Sequence, residues 1–122
     1  MLVAIAIPVF TTQLEKSKET TDIANLRSAY AAGQVAALTG YYGSTSFDPS
    51  TSTTLKYNPN TDGSLDASGI NIGQGTTTDG KADTSGISGG IIKYDTNSNV
   101  KGKAIHVVFS AGVVSEVAFD AA

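Results

Sequence analysis

The chain has 122 residues and a formal net charge of −3, from eight Lys and Arg against eleven Asp and Glu. Its cations are scattered, with no basic stripe and no interleaved aromatics, so no nucleic-acid partner is expected. Cysteine is absent, which removes disulfides, thiol nucleophiles and cysteine-bound metals, and the length fits one domain.

The first ten residues, MLVAIAIPVF, are apolar and carry no charge. A bilayer-spanning helix needs about 20 apolar residues, so this stretch cannot cross alone. It also lacks the basic flank and small-residue cleavage site of a signal peptide. It reads as the tail of a longer apolar segment, suited to lying against a membrane or other apolar helices. Pro8 has two readings. It is either the first helical position, where its missing N–H costs nothing, or a kink in a helix that begins earlier.

Residues 1–39 follow a helical pattern. Ile23, Leu26, Tyr30 and Ala37 recur at helical spacing, with Ala31, Val35 and Leu38 on adjoining rows, and predict one buried face. Gly40 is the expected stop. Between the apolar end and this stripe lies TTQLEKSKETTD. Its charges (Glu15, Lys16, Lys18, Glu19, Asp22), taken with Arg27, balance to zero. They read as a solvated helix surface with weak pairs three and four residues apart, or as inter-subunit charge matching by Glu15, Lys16, Lys18 and Glu19.

More than half of residues 40–90 are Gly, Ser or Thr. A variable loop is expected, pinned by Phe47, Leu55, Tyr57, Leu65, Ile70 and Ile72, with a short strand or turn inside it. Asn58, Asn60, Asp62 and Asp66 fall at alternate or near-alternate positions with Gly63 sixth, as in calcium loops. Gly69 stands where a bidentate Glu belongs, so an Asx-rich turn is the plainer reading. Asp79 and Asp83 form a weaker cation candidate. The Gly-Gln-Gly at 73–75 is too short for a phosphate loop.

The last region, 91–119, alternates. IIKYD, AIHVVF and VVSEVAF predict three strands, the last two joined by Ser110-Ala111-Gly112 as a three-residue hairpin loop. Pairing Phe109 with Val113 places Ile105, Val107, Phe109, Val113, Val117 and Phe119 on one face. A two-residue loop would bring Glu116 onto that face, so the period of two favours three. His106 then sits opposite Glu116. With a single histidine, and no serine in a strand-turn-helix context, neither catalytic residues nor a cofactor is expected.

The fold class predicted is α+β: a long N-terminal helix packed by its C-terminal half on a small antiparallel sheet of three or four strands. From Val9 to Leu38 such a helix spans about 45 Å, longer than a head of this size, about 30 Å across, can cover. Residues 1–22 are therefore expected to project. Residues 23–122 form the head, with its helix half 23–39, loop 40–90 and sheet 91–119.

The stretch AIAIPVFTTQLEKSKETTDIANLRSAYAAG resembles the N-terminal helix of type IV pilins and related pseudopilins, most of all those of Gram-positive bacteria, over Met1–Thr39. The resemblance implies a membrane-held precursor cut by a prepilin peptidase. The assembly machinery then draws the subunit from the cytoplasmic membrane into an extracellular helical filament made of copies of itself. It places Ile5, Ile7, Pro8, Val9, Phe10 and Leu14 in the filament core, with Val3 to Ile7 extended or weakly helical there and helical in an isolated subunit. The peptidase-recognition glycine, the methylated first residue and the nearby glutamate are not among these residues. The cysteine pair of many Gram-negative pilins is missing too. The function expected is a major-pilin-like structural subunit. The alternatives are a minor pilin or a pseudopilin of a secretion or competence system, or, from another class, a membrane-tethered adhesion or calcium-binding module.

Overall fold

The computed structural model describes residues 2–87 and 90–121, with residues 2–10 described as backbone only. Helix α1 runs Leu2–Thr39, 38 residues, about 57 Å at 1.5 Å per residue. It is continuous through Pro8, which is therefore not the first helical position. The helix stops where expected: Gly40 turns left-handed at φ 74° and donates its N–H to Ala36 O at 2.8 Å.

The buried face differs from the predicted stripe. Leu26, Ala29, Gly33 and Ala36 lie inside, with Ile23 beside them, whereas Ala31 is exposed and Val35 and Leu38 are 61% and 88% exposed. Tyr30 and Ala37 are half-buried flanks. Close approach explains the choice. A Cβ placed on Gly33 would lie 2.8 Å from Val107 Cγ1 and 2.9 Å from Val114 Cγ2. The helix axis comes so near the sheet that only small side chains fit between, and the bulkier residues are left outside.

Among the described residues six strands follow α1. Strands β1 (Tyr41–Tyr42) and β2 (Thr45–Ser46) form a small hairpin. Strands β3 (Thr53–Tyr57), β4 (Leu65–Asp66), β5 (Ile105–Ser110) and β6 (Val113–Phe119) make an antiparallel sheet in the order β4-β3-β5-β6. The fold is thus α+β, one long N-terminal helix with a mostly antiparallel four-stranded sheet and a two-stranded one. The 40–90 region contributes four of the strands, more than the short strand or turn expected. Strand β3 is an inner strand, paired with β5 from Thr53↔Phe109 to Lys56↔His106. Threonine's branched side chain suits such a position, and alternation buries Leu55 and Tyr57. Leu65 is buried as well, and Phe47 meets Phe109 edge-on at 4.9 Å between ring centroids. These anchors hold the region as anticipated.

IIKYD does not form an antiparallel strand. Only Ile92 bridges Val117, in parallel, through Val117 N–H to Ile91 O and Lys93 N–H to Val117 O, both 2.9 Å. The chain then leaves the sheet, because the Tyr94 hydroxyl is drawn to Asp22 on α1.

The β5–β6 hairpin corrects the predicted register. Its loop has two residues, Ala111 and Gly112, at φ 56° and 83°, the positive pair that matches strand twist. Pairing begins Ser110↔Val113 and Phe109↔Val114, then shifts so that Val108 faces Glu116. The extra residue, Ser115, forms a bulge. Val114 therefore takes the core place expected for Val113, which is 59% exposed. The bulge also turns Glu116 back to the outer face, the outcome that alternation without a bulge assigns only to a longer loop. Val107, Phe109 and Val117 are fully buried.

Val114→Ala should lower stability by about 1.5 kcal/mol or more, two buried carbons at ~0.8 kcal/mol each plus a cavity term. Val113→Ala should stay within about 0.5 kcal/mol. Urea unfolding of both variants checks the register, and equal losses would contradict it.

Candidate functional site

The buried face of α1 does not end at Ile23. Continuing toward the N-terminus at alternating three- and four-residue steps from Leu26, it reaches Asp22, Glu19 and Glu15. All three are buried, Glu19 and Asp22 completely. The solvated-surface reading fails for these residues. What covers them is the segment 74–82, so the head begins to cover the helix at Glu15 rather than at Ile23.

This segment meets the carboxylates mainly with its backbone. Asp22 accepts from the N–H groups of Gln74 and Gly75 at 2.9 and 2.8 Å and from the Tyr94 hydroxyl at 2.7 Å. Glu19 accepts from Gly80 N–H at 2.7 Å and Ala82 N–H at 3.1 Å. Glu15 accepts from the Thr76 hydroxyl and pairs with Lys18 Nζ at 3.0 Å. Lys81, between the two donors to Glu19, sits at φ 58°. Two glycines make the approach possible. A Cβ on Gly80 would fall 2.3 Å from Lys16 N, and one on Gly75 would fall 2.7 Å from the Tyr94 hydroxyl. The start of the segment is fixed to the turn at 100–103 by Gly73 N–H to Lys103 O and Val100 N–H to Gly75 O, both 2.9 Å.

The electrostatics follow from these partners. The Thr76 hydroxyl, with Lys18, holds Glu15 below the usual carboxylate range. Burial pushes Asp22 up, against the pull of its Tyr94, Gly75 and Gln74 bonds. Burial and the neighbouring Asp22 raise the Tyr94 phenol.

A second polar cluster lies on the outer sheet face. His106 Nδ1 is 3.0 Å from Asp120 Oδ1, and Nε2 is 2.8 Å from Glu116 Oε2. Lys56 pairs with Asp120, and Lys93 Nζ is 3.2 Å from Glu116 Oε1. His106 and Glu116 meet as anticipated, but diagonally, since Ala118 is the residue directly opposite His106. The bond to His106 comes first among the causes holding Glu116 low. Burial pushes Asp120 up, but the bonds and charges of Lys56 and His106 together outweigh it and hold Asp120 low. The cluster ties β3, β5, β6 and the 91–93 edge together.

The other sequence-selected residues have local uses. Asn58 Nδ2 donates to Asp66 Oδ2 at 2.8 Å, Asp66 Oδ1 accepts from Ser68 and Gly69, and Asn58 Oδ1 accepts from Asn60 N–H. Asp62 is exposed in a short 3-10 turn. Asn58, Asn60 and Asp66 close turns rather than converge on a cation. Asp79 Oδ1 accepts from Lys81 N–H and Asp83 Oδ1 from Ser85 N–H. Among the described residues no group of three or more His, Cys, Asp and Glu is placed to hold a metal. Lys16 and Leu14 are exposed. Of the residues expected in a filament core, Ile5, Ile7, Pro8, Val9 and Phe10 have side chains outside the described ones. Among the described residues no helix is long and apolar enough to cross a membrane.

Sequence reasoning missed the three-carboxylate clasp. The signal was present: Glu15, Glu19 and Asp22 continue the spacing of Leu26, Ala29, Gly33 and Ala36 without a break. No protein-family model, curated protein or solved structure matches the chain.

Glu19→Ala strips two buried N–H groups of their acceptor, at about 1–3 kcal/mol each. It should destabilise the fold by about 2 kcal/mol or more and speed amide exchange at Gly80 and Ala82, read by hydrogen-exchange NMR. Unchanged exchange there would refute the clasp. In acid, the contributions of Glu15, Glu116 and Asp120, whose folded values are depressed, are present above the ordinary carboxylate range and vanish as pH falls through those values. Asp22, raised, acts oppositely: its contribution is complete below the ordinary value and fades as pH rises through the raised one. Asp22→Asn should therefore show a steeper loss of stability on acidification than the parent, measured by unfolding across pH 2–6.

Proposed function

We propose that the chain is a structural, non-enzymatic subunit of a type IV pilus-like extracellular filament. It would be held in the cytoplasmic membrane before assembly and then polymerised with copies of itself after processing by a prepilin peptidase and loading by assembly machinery. One observation carries the reading. Among the residues whose side chains are described, the helix is exposed from Thr11 to Leu14 and covered at Glu15, while the sequence leading into it, MLVAIAIPVF, is apolar and uncharged. A long helix with a greasy leading end and a head on its rear half is suited to burial among sister helices. The likeness of residues 1–39 to pilin N-terminal helices supports the same reading, as does the fold class.

The energetics are sufficient. Burying several Ile, Val and Phe side chains at about 1.5–3 kcal/mol each exceeds an association cost of roughly 4–15 kcal/mol once each subunit touches several others. In this reading the sheet and the 40–90 region form the outer surface. Glu15 and Glu19, engaged inside their own chain, leave Lys16 as the freer partner for charge matching between subunits.

Electron microscopy of producing cells should show thin filaments that antibodies to this chain decorate. Ile7→Asp combined with Val9→Asp should abolish them while the head melts as before. Cells that make the chain in quantity without any polymer containing it would overturn the proposal.

A further inference from the structure

His106 on β5 is bonded through both ring nitrogens, and each partner is a carboxylate. Nδ1 faces Asp120 Oδ1 at 3.0 Å and Nε2 faces Glu116 Oε2 at 2.8 Å. Both carboxylates are held below their usual range, so they are ionised acceptors wherever an imidazole titrates. An imidazolium donates from both nitrogens, whereas the neutral ring donates from one and carries a lone pair on the other. Only the charged ring satisfies both contacts. The neutral ring must give one up, because a lone pair and a carboxylate oxygen repel at hydrogen-bond distance.

We infer that His106 is a proton-operated staple: charged, it ties β5 to both Glu116 and Asp120, and on losing its proton to water it releases Asp120. The surrounding groups select which contact fails. Strand β3 brings Lys56, directly opposite His106, and its ammonium pairs with Asp120. The 91–93 edge brings Lys93, whose Nζ is 3.2 Å from Glu116 Oε1 and whose side chain is 61% exposed. On β6 the residue directly opposite is the uncharged Ala118. Asp66 on β4, opposite Lys56, is engaged with Asn58, Ser68 and Gly69. An ion pair as exposed as that of Lys93 is screened and worth little, so Glu116 has the greater need of the ring N–H. Asp120 keeps the half-buried Lys56. The neutral ring therefore holds its proton on Nε2 and turns its lone pair toward Asp120.

Release acts at a defined place. Asp120 follows directly on β6, and its N–H donates to Ala104 O at 2.8 Å, extending the β5–β6 ladder by one bond. With Tyr94, Val100 and Phe119 it lines a cavity of about 540 Å³. A carboxylate swung from the ring toward Lys56 loosens the backbone at this point and alters one wall of that cavity. The ring is part-exposed on the outer sheet face, so protons exchange with solvent without any opening of the core.

NMR of the isotope-labelled full chain, dispersed in detergent, tests this by following the ring nitrogens and amide exchange from about pH 5 to 8.5. Both ring nitrogens should carry protons in the charged form and Nε2 alone in the neutral form. Protection of the Asp120 amide, corrected for the intrinsic pH dependence of exchange, should fall by about fivefold or more as the ring loses its proton, as expected when one charge-assisted bond is lost. In Asp120→Asn the side-chain amide can donate to the freed lone pair, so the ring still titrates while protection stays level within about twofold. His106→Gln, which does not titrate, should stay level as well. Protection at Asp120 that is unmoved across the ring's titration in the unsubstituted chain, or a neutral ring protonated on Nδ1, overturns the inference. So does an Asp120→Asn chain whose protection falls as steeply as the parent's.

Discussion

A buried carboxylate without water must find hydrogen-bond donors or lose its charge. Three of them on successive turns of one helix constrain everything packed against that helix. Here the donors are backbone N–H groups of an irregular segment, helped by one hydroxyl, one phenol and Lys18. The arrangement is reciprocal. An irregular segment laid on a helix would bury N–H groups with no partner, because the helix interior has already used its own carbonyls. Carboxylates at Glu15, Glu19 and Asp22 supply the missing acceptors. Each side makes the other's burial possible, and charge-assisted bonds are the stronger kind. This explains why a segment rich in Gly and Thr, with few apolar side chains to bury, keeps one path along the helix.

The same helix face works differently farther along. Beyond Leu26 it carries Ala29, Gly33 and Ala36, and the sheet fills the space with Val107, Phe109, Val114 and Val117. Bulk comes from the strands and smallness from the helix, so the two interdigitate at short range. The bulge at Ser115 belongs to this packing. A two-residue turn sets the hairpin's twist but puts the wrong parity on β6. One extra residue restores Val117 and Phe119 to the core while leaving Val114 inside. Turn and bulge are each intelligible only in the presence of the other.

Much of the fold was legible in the sequence because its signals are local. The helix from its pattern, its end at Gly40, the β5–β6 hairpin and the burial of Ile105, Val107, Phe109 and Val117 all rest on periodicity or turn chemistry within a few residues. What escaped depended on distant partners. Thr53–Tyr57 reads as loop by composition and becomes an inner strand because β5 offers an edge. Ile91–Asp95 reads as a strand and leaves the sheet where Tyr94 bonds to Asp22, more than seventy residues away. Spacing alone admitted Val35 and Leu38 to the stripe on adjoining rows, whereas close approach to the sheet favours Ala and Gly. The acids of the clasp were assigned to water because charge is normally solvated. Only their spacing, continuous with Leu26, spoke otherwise.

These two halves of one face also fix what the rest of the helix presents. Turning small residues and carboxylates inward commits the helix rotation along its whole covered length, since residues three and four apart share a side. The opposite side is then set without further choice. It is mostly polar from Thr12 to Ser28, with Leu14 and Ala24 among the exposed residues, and apolar at Ala31, Val35 and Leu38. A monomer gains nothing from leaving Leu38 almost wholly exposed when polar residues serve as well there. The exposure is a consequence of the rotation that the clasp enforces. Which side chains pack inward and which are left outside are therefore one constraint acting on two sides of the same helix.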